Sequence, residues 1–270
     1  MTKQIENGRV ELSIDVDKHV AEVVLNRADK MNAVDLAMFE ALGEAADVIA
    51  ADKTVRAVVL HGAGENFCAG IDLNMFGNPD FDFERALNTP LAPSLANLFQ
   101  RAAYAWRELP IPVICAIEGV AFGAGMQIAL GADLRFAAPG ATFSIMESKW
   151  GIIPDMGLTA TLRHLVSPDR VKELSWSARV LNSSEAEAIG LITAVTEDPL
   201  GKARNFAKDC AAKSPDAIRG IKTLVNTTWQ QTEGEALALE AQLQGSIIGG
   251  ENQLEAVAAN LGKRKPEFRD

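Results

Sequence analysis

The stretch "GVAFGAGMQIALGADL" (residues 119–134) decides how the chain around it is interpreted. It starts at the end of an apolar segment, turns through Gly123, Ala124 and Gly125, and continues as an apolar run of helical length. A helix that begins on glycines offers unpaired backbone N–H groups and a partial positive charge, and another molecule can approach them closely. The pattern predicts either a site for an anion or a developing oxyanion, or close packing of small residues.

Known nucleotide and hydrolase motifs do not fit the chain. A dinucleotide-binding turn requires a third glycine where this chain has Ile128, and there is no G-x-x-x-x-G-K-[ST] loop. A G-x-S-x-G elbow is also missing, which argues against a serine hydrolase. The histidines, His19, His61 and His164, lie in no metal-ligand spacing, so no metal site is predicted.

Short apolar segments alternate with helical ones on both sides of the opening stretch. Residues 10–26 alternate between apolar and polar side chains and predict a β-hairpin, after which Asp35 is a candidate N-cap. Continuously apolar strands are predicted at 56–62, 112–119 and 133–138, with helices at 93–109 and 124–130. Such alternation indicates a parallel sheet, so the fold class is α/β.

The second half of the chain reads as mostly helical. The one strand expected after residue 155 is "LITAVT" (191–196). An α/β core over 1–195, which would hold the active site, is therefore predicted to precede a helical region over 196–270. Residues 74–92 have weak periodicity and many turn residues, which predicts a long functional or mobile loop.

Composition limits the classes of partner. The chain has 270 residues, 48% of them hydrophobic, and a net charge of −10, which suits an enzyme with a sizeable core. Nucleic acid is not expected as a partner, because binding its backbone requires a concentrated basic surface. No membrane partner is expected either, because no apolar run approaches the ~18 residues of a span. The N-terminal "MTKQIENGRV" (1–10) carries no apolar signal segment, so the default location is cytoplasmic.

A second small-residue turn follows another predicted strand. "ENFCAGIDL" (65–73) places Ala69 and Gly70 just after the strand at 56–61. Two such turns after neighbouring parallel strands can aim two N–H groups at one point. Two convergent donors form an oxyanion hole.

Four motifs together identify a family resemblance. They are "LNRADKMNAV" (25–34), "ENFCAGIDL", "IEGVAFGAGMQIALGADLRFA" (117–137) and "FSIMESKWGIIPDMG" (143–157), and the ending "LGKRKPEF" (261–268) agrees with them. The chain resembles the crotonase superfamily, the enoyl-CoA hydratase/isomerase group. The resemblance implies a core of repeated ββα turns with a helical C-terminal trimerisation region, assembled as a homo-oligomer (a trimer or a dimer of trimers). It also implies an acyl-CoA thioester ligand, with no cofactor beyond the coenzyme A of the substrate.

The resemblance assigns roles to residues. It implies that the backbone N–H groups of Ile71 and Ala124 hold the thioester oxygen. Positions implied to bind other parts of the substrate are Lys30, Ala69, Asp72, Leu73, Gln127 and Lys263. Lys263 matches a phosphate-binding lysine that often reaches across from a neighbouring subunit, although either lysine can equally be an ordinary surface residue. Aromatic side chains of the long loop, with Trp150, can shape an acyl pocket or pack against a neighbouring subunit.

The chain departs from the hydratase pattern at one position. Hydratases of this family use two glutamates; the second matches Glu147, but the first matches Gln127, and an amide cannot act as a general acid or base. Asp155 occupies the place of an aspartate that works with the matching glutamate in dienoyl-CoA isomerases. The alternative for Asp155 is a helix N-cap or first-turn carboxylate before "MGLTATLRHL" (156–165).

Three functions follow, in order of preference. The first is an enoyl-CoA isomerase in which Glu147 moves the proton and Asp155 assists. The second is an enoyl-CoA hydratase that uses the same two carboxylates. The third, from another class, is a non-catalytic acyl-CoA-binding homologue.

Overall fold

The computed structural model describes residues 2–4, 8–77 and 81–270. Residues 1 and 5–7, part of the N-terminal stretch behind the predicted cytoplasmic location, lie outside the described residues, and so do 78–80 of the predicted long loop. The cytoplasmic location stays a prediction. Within the described ranges, no helix is long and apolar enough to cross a membrane.

The described strands form two sheets. Their bounds are β1 Thr2–Gln4, β2 Val10–Asp15, β3 Val20–Leu25, β4 Ala57–Gly62, β5 Val113–Ile117, β6 Val120–Phe122, β7 Leu134–Ala137, β8 Thr142–Ser144, β9 Leu181–Asn182 and β10 Ala194–Val195. The larger sheet has the order β1-β2-β3-β4-β5-β7-β10, and the smaller one has the order β6-β8-β9. Strands β3, β4, β5, β7 and β10 run parallel, which confirms the α/β class.

Helices connect and cover the strands. Their bounds are α1 Leu36–Ala51, α2 Phe83–Asn88, α3 Leu98–Glu108, α4 Ala124–Gly131, α5 Leu158–Leu162, α6 Pro168–Ser177, α7 Ser183–Ala188, α8 Pro199–Ala211, α9 Pro215–Thr228, α10 Glu233–Ile247 and α11 Glu251–Leu261. Asp35 caps α1, as predicted, and accepts a hydrogen bond from Met38 N. Helix α3 begins at Leu98 rather than near residue 93, because Asn97 and Gln100 form a capping box there.

Side chains alternate between the two faces of the larger sheet. On one face Val58 and Leu60 belong to the large core built with α1, α3 and α4, and on the other Ala57 and Val59 meet α8. Both faces are therefore covered, which explains why the parallel strands read as continuous apolar runs. Helix α8 lies beyond residue 195 and packs on the core sheet; the division into 1–195 and 196–270 stays a prediction.

The described residues of the predicted loop at 74–92 include regular structure. A 3₁₀ helix spans Leu73–Gly77 and α2 follows at Phe83–Asn88. The ring of Phe83 lies between two others, at 6.2 Å from the centroids of both Phe76 and Phe99, and Phe81 packs edge-on against it at 4.7 Å. These aromatic contacts dock the segment on α3, and they are not visible as sequence periodicity.

Candidate active site

The turn after β4 leaves one backbone N–H group pointing away from its neighbours. Val34 N donates to Gly70 O, and Asp72 N donates to Val34 O, both at 2.8 Å. Val34 thus bonds to the residues on either side of Ile71, and in a parallel bridge of this kind Ile71 itself contributes neither its N–H nor its carbonyl. Gly70 has φ +105, a conformation that a residue with a side chain rarely adopts. The turn therefore presents the Ile71 N–H to the far side.

The turn after β6 packs directly on the first one. Phe122 N donates to Cys68 O at 3.0 Å, and a methyl group added to Gly125 would lie only 2.4 Å from Cys68 O. Helix α4 begins at Ala124, so that residue's N–H is one of the unpaired amides of a helix start. A methyl group on Gly70 would lie 3.8 Å from Ala124 N. The glycine of the opening stretch therefore allows the close packing that was one expectation for it, and this packing places the start of α4 beside the first turn. The oxyanion site stays a prediction.

A buried carboxylate lies beside the second turn. Glu147 begins a 3₁₀ helix, Glu147–Trp150, and is only 6% exposed. Its Oε1 accepts a hydrogen bond from Gln127 Nε2 at 2.6 Å, and a methyl group on Gly123 would lie 3.6 Å from the same oxygen. The other oxygen, Oε2, is buried without a hydrogen-bond partner among the described residues. A buried acid oxygen without a partner is costly, and a catalytic role is one explanation for it.

Two carboxylates in the site are shifted towards their neutral forms. Burial raises the pKa of Glu147, and the negative charge of Asp155 raises it further, whereas the hydrogen bond from Gln127 opposes the shift. Burial also raises the pKa of Asp155. Raised carboxylate pKa values are typical of groups that exchange protons near neutral pH.

Asp155 is not the N-cap of the following helix. Helix α5 begins at Leu158, its N-cap is Gly157, and no side chain caps it. The N-cap alternative is therefore wrong: Asp155 lies two residues before the cap, in the segment that links the 3₁₀ helix to α5. The geometry brings Glu147 and Asp155 close enough for their charges to interact.

Gln127 lies inside the site rather than at its surface. It is 2% exposed, and its N–H lies one helical turn after Gly123, to whose carbonyl it donates. Its side-chain Oε1 accepts from Met156 N at 2.8 Å, while Nε2 donates to Glu147. A direct role in binding substrate stays a prediction.

Comparison with known proteins gives the family. A model of the family described as enoyl-CoA hydratase/isomerase matches residues 15–270. The chain belongs to the enoyl-CoA hydratase/isomerase family. It is accordingly an enzyme with the crotonase fold that processes acyl-CoA thioesters, as an isomerase or as a hydratase.

Individual members of the family are similar over nearly the whole chain. The 1,2-epoxyphenylacetyl-CoA isomerase of Escherichia coli (strain K12) is 33% identical over 256 residues, covering 94% of this chain and 96% of that protein. The mitochondrial methylglutaconyl-CoA hydratase of Mus musculus is 32% identical over 254 residues, covering 91% and 78%. The crystal structure of an enoyl-CoA hydratase from Bacillus anthracis has a TM-score of 0.85 at 31% identity, covering 95% and 98%.

Most residues expected at the nucleotide end of the substrate lie together in this family member. Ala69 N donates to Met31 O at 2.9 Å, which brings the 3₁₀ helix carrying Lys30 beside the turn that leads to Asp72 and Leu73. Lys30 is exposed, Leu73 is 43% exposed, and the Asp72 carboxylate is 2.8 Å from Arg27 Nη1. Their contact with coenzyme A stays a prediction.

Lys263 lies apart from this group. It follows α11, is exposed, and has φ +51. Among the described residues, no recorded contact joins it to the site within one chain. The predicted role of Lys263 in binding phosphate stays a prediction.

Two residues that support the site were not expected from the sequence. Asn32 is fully buried, and its Nδ2 donates to Ala63 O and Asn66 O at 2.9 and 2.7 Å, which fixes the first turn. Arg27 forms the ion pair with the Asp72 carboxylate that is described above. Both lie in the motif "LNRADKMNAV", where the only available signal is an asparagine, Asn32, between the apolar residues Met31 and Ala33.

Proposed function

We propose that this enzyme isomerises enoyl-CoA thioesters by moving one proton with Glu147. One observation carries the proposal: Glu147 has a single free, buried oxygen, Oε2, and the side chain bonded to its other oxygen is the amide of Gln127 rather than a second carboxylate. Isomerisation requires one group that removes a proton and returns it. Hydration requires, in addition, a group that activates water, and an amide cannot do that.

The reaction proceeds in two balanced steps. Glu147 Oε2 removes a proton from the carbon next to the thioester carbonyl of a 3-enoyl-CoA, and the electron pair moves into the carbonyl to form a dienolate. The N–H groups of Ile71 and Ala124 hold the oxygen as it gains charge, and each such donor contributes ~3 kcal/mol. The same carboxyl then delivers the proton two carbons further on, and the product is a 2-enoyl-CoA. No electrons are gained or lost, so the reaction requires no oxidant or reductant besides the CoA thioester substrate.

Asp155 assists as the second carboxyl of the pair. Its charge raises the pKa of Glu147, which makes that carboxylate a stronger base and its conjugate acid suited to proton return near neutral pH. Asp155 also supplies the one observation that favours the second candidate, a hydratase, because a second carboxyl could activate water there. The relative named methylglutaconyl-CoA hydratase is consistent with that candidate.

A trimer, or a dimer of trimers, is the assembly we propose. The C-terminal helices of the single chain expose large apolar side chains, which are Ile221, Val225, Trp229, Leu254, Val257 and Leu261. A cavity of about 440 Å³ opens beside Trp229. Exposed apolar area on this scale favours association with further copies, and a neighbouring copy would bring its Lys263 towards the nucleotide end. Light scattering of the purified protein tests the mass, and a monomer would overturn this part.

The chemistry is tested with two substrates and three proteins. Wild type, Glu147→Gln and the exposed control Glu44→Gln are each given crotonyl-CoA and 3-hexenoyl-CoA. We expect the 3-enoyl substrate to react faster in the wild type and the control, and Glu147→Gln to lower its kcat by ~10²-fold or more. Faster hydration of crotonyl-CoA would favour the hydratase. No reaction that depends on Glu147 would favour the acyl-CoA-binding protein without turnover.

A further inference from the structure

The side chain of Gln127 makes two hydrogen bonds that join separate parts of the site. One end reaches Met156 N, and the other reaches Glu147 Oε1. Helix α4, which carries Gln127, is buried along its whole length, so the amide is held by packing as well as by its partners. It is the one side chain in the described part of the site that contacts both segments through recorded hydrogen bonds.

The Met156 N–H group fixes which way the amide points. A backbone N–H can only donate, so the atom facing it must be the amide oxygen of Gln127. The NH₂ group is thereby directed at Glu147 Oε1, with no freedom to flip. Because one oxygen of the carboxylate is engaged as an acceptor, the other, Oε2, is left as the oxygen that can take a proton.

The same amide also fixes the segment that carries the second carboxyl. Met156 is the residue immediately after Asp155, so anchoring its N–H holds the backbone beside that carboxylate. Besides burial, the groups that shift the pKa of Glu147 are the Gln127 side chain on α4, the Asp155 carboxylate, and the backbone of Met146 and of Glu147 itself. Gln127 is thus the link between the two acidic groups.

We propose that Gln127 is a positioning residue that orients Glu147 so that Oε2 alone reacts, and that sets the placement of Asp155 relative to it. The inference rests on the proposed function, because it assumes that Glu147 moves the proton. A glutamate at 127 could still accept from Met156 N, but its second oxygen would face Glu147 Oε1 across 2.6 Å. Two carboxylates at that separation share one proton, whereas the hydrogen bond from the Gln127 amide lowers the pKa of Glu147 and so favours its ionised form.

The first test compares two substitutions of Gln127 by the pH dependence of their kcat/KM. Gln127→Met keeps the size of the side chain and removes both hydrogen bonds, while Gln127→Glu keeps only the one from Met156 N. With 3-hexenoyl-CoA, we expect Gln127→Met to lower kcat about tenfold and to change KM by less than about threefold. Both variants should move the acid limb of the kcat/KM profile to higher pH. Unchanged acid limbs in both would overturn the proposal.

The second test does not depend on which reaction the enzyme performs. Thermal unfolding is measured for wild type, Gln127→Met, Glu147→Gln and the double variant between pH 5 and pH 8. The four proteins form a double-mutant cycle. Gln127→Met removes the partner of Met156 N whether residue 147 is Glu or Gln, so that loss cancels when the two costs are compared. We expect Gln127→Met to cost more when Glu147 is present, with a coupling that grows with pH. An equal cost in both backgrounds at every pH would overturn the proposal even if isomerisation is confirmed.

Discussion

Glu147 is held by Gln127 through one carboxylate oxygen, at 2.6 Å, and keeps its other oxygen buried and unpartnered among the described residues. A buried acid with a single free oxygen, beside the turn at Gly123 that begins α4, suits the transfer of one proton to and from a thioester enolate. The same relationship separates this chain from a two-glutamate hydratase, because the partner is an amide.

The charge of Asp155 should be visible in the pH profile of the reaction. Because that charge raises the pKa of Glu147, Asp155→Asn should move the acid limb of kcat/KM to lower pH. The shift is opposite to that expected for Gln127→Met, so the two variants serve as controls for each other. We also expect Asp155→Asn to lower kcat by about tenfold, less than the loss of Glu147. An acid limb that stays in place or rises would show that the two carboxyls are not coupled.

Removing the charge of Glu147 should stabilise the fold as the pH rises. The pKa of Glu147 is raised in the folded state, so the folded protein holds its proton over a pH range in which the unfolded chain has lost it. The wild type therefore loses stability between the ordinary glutamate pKa and the raised one, whereas Glu147→Gln does not.

Differential scanning calorimetry from pH 4 to pH 8 checks this. The Tm difference between Glu147→Gln and wild type should grow with pH and then level off. Since roughly 1 kcal/mol moves the Tm of a domain of this size by ~2 °C, such an effect is measurable. Glu44→Gln, at an exposed position of α1, should show no such trend. A difference that shrinks as the pH rises would contradict the expected sign.

The N–H of Ala124 can be removed without breaking α4. Ala124 is the first residue of the helix, where proline is tolerated because the N–H has no partner within the helix. We expect Ala124→Pro to lower kcat/KM for isomerisation by ~10²–10³-fold and to leave the circular dichroism spectrum unchanged. Glu233→Pro, at the first position of α10, is the matched control and should keep full activity. Activity of Ala124→Pro within about threefold of wild type would show that this donor is not used.

A buried lysine ties α9 to the core. Lys222 Nζ donates to Trp106 O, Ile111 O and Asp133 Oδ2 at 3.1, 2.9 and 2.8 Å. Lys222→Met leaves two carbonyls without this donor and one carboxylate without its counter-ion, so we expect a loss of about 3 kcal/mol in the free energy of unfolding. Urea unfolding measures it against Lys172→Met, an exposed lysine of α6. Equal stability of the two variants would contradict the importance of this link.

Local patterns predicted the strands of the larger sheet except β1, and they missed the smaller sheet. The alternation at 10–26, the apolar runs and the Asp35 cap are features of neighbouring residues, and each appears in the structure. Strands β6, β8 and β9 have only two or three residues each, and they are defined by pairings such as Phe143 with Leu181. Strands that short carry no period, so their existence depends on tertiary contacts.

The candidate site shows the same division. The glycine turns after two predicted strands indicated two convergent N–H groups, because such turns leave a signal in the sequence. Ile71, Ala124 and Glu147 themselves were assigned through the family resemblance. The hydrogen bond from Met156 N to Gln127 joins residues 29 positions apart. They belong to segments whose relative position cannot be predicted from local sequence patterns. The sequence therefore identified Gln127 as a departure from the hydratase pattern, and the three-dimensional contacts were needed to find its partners.

The most direct test of isomerisation is the fate of solvent oxygen. Wild-type enzyme is incubated with 3-hexenoyl-CoA in water labelled with oxygen-18, and the first products are identified by mass spectrometry. We expect 2-hexenoyl-CoA without the label, because only a proton moves. If the enzyme leaves 3-hexenoyl-CoA unchanged but converts 2-hexenoyl-CoA into labelled 3-hydroxyhexanoyl-CoA, the isomerase assignment is contradicted and hydration is the reaction of this site.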